Sequence, residues 1–298
     1  SCNVRAIPED TPFGRLDELP LPIQAFTGDL IEDLGAVRLD DVLEFAGSAQ
    51  RENAFGNTND AIILRGFPAT YAEDGISTSG AIAPILVQRD VATIERVEVL
   101  RGPASALFGE TAPGGIINLI TKRPTADTFL ELRTTVSSFE RYRQAFDGNV
   151  ALGADDQFQA RLSGSVEHFD SFRDFVEGER LVLAPAVDYE VSDALVIRYR
   201  GEVIDSEQPF DRGIPVDQNT GERLAAQEAF FGDPTVGDVE NFYLRNELRA
   251  DYDLNEQWQF SALGNLAFNR YEGASVEPVF LPSETVFFPA VPDRKSVV

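Results

Sequence analysis

The chain has 298 residues, 43% of them hydrophobic, which is enough for two domains with buried cores. Fifty acidic against 25 basic residues leave a net charge of −25, which argues against nucleic acid as a partner. No stretch approaches the ~18 consecutive apolar residues of a membrane-spanning helix, whereas a β-barrel, whose strands alternate, stays open. Cys2 and His168 are the only residues of their kinds, so neither an internal disulfide nor a Cys/His metal cluster can form. Cys2 reads as an N-terminal remnant or as a lipid acceptor. There is no Met and no signal-peptide apolar region, so the native start is expected to have been removed or to lie upstream. Only Lys122 and Lys295 are lysines; Arg supplies the rest and suits bidentate pairing with carboxylates in a polar interior.

Residues 1–20 are polar and broken by Pro8, Pro12 and Pro20, and read as a flexible lead-in. A short strand from Leu21 to Phe26 follows. Thr27 then caps a helix with Asp29 in its first turn and Gly35 as its stop. A second short helix starts at Leu39, with Val42, Leu43 and Phe45 as apolar contacts. Residues 47–60, rich in Gly, Asn and Ser, read as a loop. Strands at 61–66, 94–100 and 116–121 complete a small α+β unit over 21–124.

Past Pro124 the period changes to two. Leu130, Leu132, Thr134 and Val136 alternate with Glu131, Arg133 and Thr135; Phe242, Leu244, Leu248 and Tyr252 oppose Tyr243, Arg245, Glu247, Arg249 and Asp251. Seven such strands are expected over 125–298: about 129–137, 143–152, 157–168, 180–190, 194–205, 240–252 and 257–270. Links after the second, fourth and sixth are tight turns. Those after the third and fifth are longer, and 206–239 is a long loop. Short and long links sorted by parity, with one apolar and one charged face, match transmembrane barrel strands. A soluble β-sandwich also alternates, but its loops have no reason to sort this way, and its outward face would not carry Trp258, Phe260 and Phe268. Seven strands do not close a barrel, so the pattern predicts the front end of a longer protein. The last residues, 294–298, abandon the alternation and resemble a truncation.

Three ordered blocks carry a resemblance: IILRGF at 62–67, EDG at 73–75, and IERVEVLRGPASALFGETAPGGIINLITKRP at 94–124. Together they resemble the plug domain of TonB-dependent outer-membrane receptors, most closely the ferric-siderophore group. PFDRGIP at 209–215 is similar to the barrels of such receptors. The resemblance implies an α+β plug domain, a small mixed sheet with short helices, followed by the N-terminal part of a transmembrane antiparallel β-barrel of the 22-stranded type. It implies a monomer in the outer membrane of a Gram-negative bacterium, contacting lipid and working with TonB and its inner-membrane energising complex. The cargo would be an iron(III)-siderophore, with no cofactor, no resident metal and no enzymatic chemistry. The segment that TonB grips is not recognisable in 1–20.

By the same resemblance Arg65 and Arg101 pair with acids on the barrel wall; the alternative is a capping or surface role. Gly66, Gly75, Gly102, Gly109, Gly114 and Gly115 read as structural turn or close-packing positions. A phosphate cradle is excluded, since GxxxxGK[ST] is absent. Ligand contacts are expected in the plug loops at Arg51, Phe55, Tyr71 and Ser79, and in the long barrel loop at Phe210 and Arg212, beside Asp211 and Phe230. One cation, aromatic rings and a hydroxyl suit an organic chelate. Cobalamin, a glycan or another metal complex are alternative cargoes. An outer-membrane barrel enzyme is an alternative of another class, and it would have to use His168. That residue shares parity with Phe158 and Leu162, and reads as an interfacial side chain.

Overall fold

The computed structural model describes residues 23–47, 49–51, 55–77, 87–102, 112–153, 156–217, 220–255, 257–275, 278–281, 284–287 and 296–297. The lead-in over 1–20, Cys2, Ser79 and Gly109 lie outside the described residues. The chain divides into two compact units, one of residues 1–52 and 60–122, the other of 53–59 and 123–298.

In the first unit β1 (Ile23–Thr27) leads into α1 (Gly28–Asp33), and α2 (Leu39–Leu43) follows. Thr27 caps α1, its hydroxyl accepting from the Leu30 amide at 3.4 Å, and Gly35 ends the turn at φ 65°. Before α2 the Asp41 carboxylate accepts from the amides of Val37 and Arg38 at 3.0 and 2.9 Å, satisfying donors that a helix start leaves open. Then come β2 (Ala49–Arg51), β3 (Ile62–Leu64), β4 (Phe67–Pro68), β5 (Thr70–Glu73), β6 (Ile76–Ser77), β7 (Ile94–Arg101) and β8 (Gly115–Thr121). A mixed sheet has the order β1-β7-β8-β5-β6, its β5–β8 pair parallel, and β2-β3-β4 form a second small sheet. Alternation along β7 and β8 gives the main sheet two unlike faces. Val97, Val99, Ile117 and Leu119 join Phe26, Ile31, Leu39, Val42, Leu43, Ile62 and Leu64 in one buried cluster. On the opposite face Arg96 donates to Glu98 at 2.7 Å and Asn118 to its other oxygen at 2.8 Å, all three side chains being buried. Each of these buried polar side chains is thus hydrogen-bonded, which offsets the cost of taking it out of water.

The loop expected over 47–60 contains β2 and a single 3-10 turn at Phe55–Asn57. The strand expected at 61–66 ends at Leu64, because Arg65 and Gly66 both take positive φ (51° and 85°) and turn β3 into β4. Such a pair is the tight-hairpin geometry whose twist fits the flanking strands, and Asp74-Gly75 (49° and 86°) repeats it between β5 and β6.

The second unit is an antiparallel sheet of β9 (Phe129–Ser137), β10 (Arg141–Leu152), β11 (Phe158–Asp170), β12 (Glu177–Ser192), β13 (Leu195–Gln208), β14 (Val239–Asn255) and β15 (Trp258–Glu272), each paired with the next. A hairpin of β16 (Pro278–Leu281) and β17 (Glu284–Phe287) follows, and β18 (Ser296–Val297) pairs with Arg270 and Tyr271 of β15. The sheet therefore has an eighth member, where the sequence pattern suggested that 294–298 leave the wall. Among the described residues β9 and β18 are its two edges.

Register makes the two faces explicit. Leu132, Phe146, Gly164, Leu183, Val203, Leu244 and Phe268 stand in one row across the strands. On the other face lies the row Asn149, Arg161, Ala186, Arg200 and Glu247. That face is laced with ion pairs: Arg161–Asp147 at 2.7 Å, Arg200–Asp188 at 2.6 Å and Arg245–Glu247 at 2.7 Å. The apolar stripe on β14 runs from Phe242 to Leu254, about 41 Å along a strand, or about 31 Å at a tilt near 40°, enough to cross the roughly 25 Å lipid band of a barrel. Several strands outrun the stripe at their polar ends, as at Glu177–Glu179 and Ser206–Gln208.

Candidate ligand site

The link between β13 and β14 folds back over the outer strand ends and is fixed by charge. Arg173, in the link between β11 and β12, grips Asp211 with Nε at 2.6 Å from one carboxylate oxygen and its NH2 group at 2.9 Å from the other, both side chains being buried. The Gly213 amide also donates to Asp211, at 2.9 Å, and the Asp174 amide donates to the Glu228 carbonyl at 2.8 Å. This two-loop frame holds a pocket of about 180 Å³ whose lining includes Phe175, Phe210, Phe230, Glu177, Asp233 and Asp238. Phe175 and Phe230 lie 6.3 Å apart in a tilted pair. Arg212 stands over the Phe210 ring at 5.3 Å, within cation–π range. Hydrogen bonds from the Thr235 hydroxyl and amide hold the Asp233 carboxyl below its usual range.

The 3-10 turn containing Phe55 belongs to this same unit. The Asp211 amide donates to the Gly56 carbonyl at 3.0 Å, Gln208 donates to the Asn57 carbonyl, and the Thr58 hydroxyl meets the Tyr271 hydroxyl at 3.0 Å. Phe210 packs directly on Gly56: a Cβ there would lie 2.4 Å from the ring. The structure thus brings the Phe55 turn, Phe210 and Arg212 together. Arg173, Phe175, Gln208 and Tyr271, which support them, were not marked by any pattern in the sequence. The FRDF run at 172–175, a charge between aromatics, is the one local clue it carried.

The other expected site residues belong to the first unit. Arg51 pairs with the buried Asp40 and lies 3.7 Å from Glu44, so its guanidinium is engaged within the unit. Tyr71, expected in a loop, is a residue of β5, because Thr70–Glu73 pair in parallel with Ile116–Leu119. Its hydroxyl donates to the Asp60 carbonyl at 3.3 Å; burial, then the Asp60 and Asp40 carboxylates, push its pKa well above the ordinary value. Arg65 is an exposed hairpin residue and Arg101 donates to Gln24. Gly102 and Gly115 have positive φ (96° and 138°), and at Gly114 a Cβ would sit 2.3 Å from the Leu64 carbonyl oxygen. His168 is exposed at the outer end of β11, its Nδ1 3.5 Å from a Glu179 oxygen.

The chain thus joins a small mixed sheet to antiparallel strands with one apolar and one ion-paired face. Residues 15–116 match the TonB-dependent Receptor Plug Domain family. The chain is 33% identical over 263 residues to the metal-pseudopaline receptor CntO of Pseudomonas aeruginosa, which spans 88% of this chain and 37% of that protein. It is 32% identical over 235 residues to the catecholate siderophore receptor Fiu of Escherichia coli K12, spanning 75% and 29%. Among solved structures it superposes on the pyoverdine receptor FpvA of P. aeruginosa with a TM-score of 0.79 at 20% identity, covering 91% of this chain and 41% of that one. For the open form of E. coli Fiu the TM-score is 0.77 at 23% identity, covering 91% and 42%. The chain belongs to the TonB-dependent outer-membrane receptor family of Gram-negative bacteria. It spans about a third of the length of these curated relatives, which are receptors and not enzymes.

Proposed function

We propose that the protein binds a ferric siderophore at the outer face and imports it, energised by TonB through the N-terminal side of the plug. The observation that carries this reading is the aromatic pocket framed by Arg173–Asp211, set at the end of the barrel strands that bears the longer links. Its volume of about 180 Å³ falls short of the roughly 300–1,000 Å³ of a whole-ligand pocket, so it suits one ring or one arm of a chelate. The full-length protein is expected to restore growth on a ferric siderophore in iron-limited cells lacking their own receptor, and only when TonB is present. Growth that is equal without TonB rejects the mechanism.

A second reading within the family is a chelate of another metal. CntO is by name a metal-pseudopaline receptor, and among the described residues the pocket's lining carries three carboxylates and no Lys or Arg. Such a lining favours a neutral or cationic complex over an anionic one. Uptake of labelled zinc or nickel exceeding that of labelled iron, with the same crude chelator, decides for this reading.

A further inference from the structure

We infer that Phe210 is a positioning residue that couples the outer-loop pocket to the Gly56–Asn59 segment, so that filling the pocket tightens the seat of that segment. One ring serves both sites. It lines the pocket with Phe175 and Phe230, and it packs on Gly56 so closely that a Cβ would lie 2.4 Å from it. Gly56 also sits at φ 64°, so two independent constraints reserve this position for glycine. The ring is 7% exposed, and the segment it holds is tied by Asp211, Gln208 and Tyr271.

Thr58 and Asn59, the next residues of the segment, are themselves buried. A group entering the pocket adds contacts to the outer edge of Phe210 and restricts the ring where it already bears on Gly56. By reciprocity, whatever loosens the segment weakens binding in the pocket by the same factor. The inference rests on the reading of this pocket as the place where cargo enters.

The test needs no cargo. In the full-length receptor with Cys2→Ser, Ser275→Cys on the pocket lining is reacted with benzyl methanethiosulfonate, which puts a phenyl ring in the cavity and is removable by reduction. Ala274→Cys serves as a second tether point. Hydrogen exchange is followed at 55–59 and at the Asp211 amide, which donates to Gly56. Exchange is expected to slow about tenfold with the ring in place, a coupling of ordinary size. It should recover on reduction, lose the response in Phe210→Leu, and regain it in Phe210→Tyr. Unchanged exchange at both tether points, or equal slowing in Phe210→Leu, overturns the coupling. If the response is present but the growth assay shows no uptake, the coupling stands and the transport reading falls.

Discussion

Arg173 and Asp211 show how single side chains organise the outer loops. Each is about nine-tenths buried, and two guanidinium nitrogens reach the two carboxylate oxygens, one of them by a hydrogen bond. Removing one partner leaves an uncompensated buried charge, so Arg173→Ala is expected to cost about 3–5 kcal/mol of local stability. Arg173→Lys keeps the charge, loses the fork and should fall between. Limited proteolysis within 209–238 reads this directly; a wild-type cleavage rate in Arg173→Ala contradicts it. In the first unit, Tyr71→Phe removes one hydrogen bond to Asp60 and is expected to cost about 0.5–1.5 kcal/mol. Tyr71 also has a pH signature. Its pKa is raised on folding, so its contribution is whole below about pH 10, where the unfolded tyrosine titrates, and is lost as pH climbs toward the folded value. Between pH 9 and 11 the wild type should lose more stability than Tyr71→Phe, as measured by thermal unfolding of the two proteins side by side. Parallel losses would place the hydroxyl in a water-like site.

At the scale of the element, the strands of the second unit obey a depth rule. Leu248 lies within the apolar stripe of β14 and Leu254 at its lower limit, both exposed to the outside. Leu248→Arg is expected to cost about 2–4 kcal/mol and Leu254→Arg about 0–1, because a charge near the interface reaches water. Denaturant titration of the full-length protein folded into vesicles measures both; equal costs would mean that this face does not meet lipid. The same periodicity explains what was legible beforehand. Alternation placed all seven main strands to within three residues, since a one-residue slip would turn every side chain to the wrong face. It under-read their ends, where Glu177, Ser206 and Gln208 continue the ladder without an apolar stripe to announce it. It also carried the strand at 61–66 through the Arg65-Gly66 hairpin, although Gly66 read as a turn position, because a bulky residue takes positive φ there. The seat of 56–59 was illegible for a different reason: nothing local marks Gly56 until Phe210, far along the chain, is seen lying on it. Phe210 and Arg212 could be singled out from their loop, but their partners Phe175 and Arg173 are neighbours only through tertiary structure.

For the molecule as a whole, charge is the property most open to test. The chain carries a net −25, and the long link over 209–238 holds Asp211, Asp217, Glu222, Glu228, Asp233 and Asp238 against Arg212 and Arg223. Arg173 neutralises Asp211, while Asp233 and Asp238 face the pocket. On the proposed function, a chelate approaching this link meets carboxylates as well as aromatic rings. The field of these carboxylates changes the rate of encounter more than the strength of the final contact, and it acts over about 10 Å at 0.1 M salt but only about 3 Å at 1 M. Association of a cationic metal chelate with the full-length receptor should accordingly slow by at least about tenfold between 10 mM and 1 M salt, while an anionic chelate of the same size speeds up or holds steady. Stopped-flow measurement of both rates separates the cases. If the two chelates respond alike to salt, the acids of the outer link do not steer cargo, and selectivity must lie in the aromatic contacts around Phe175, Phe210 and Phe230.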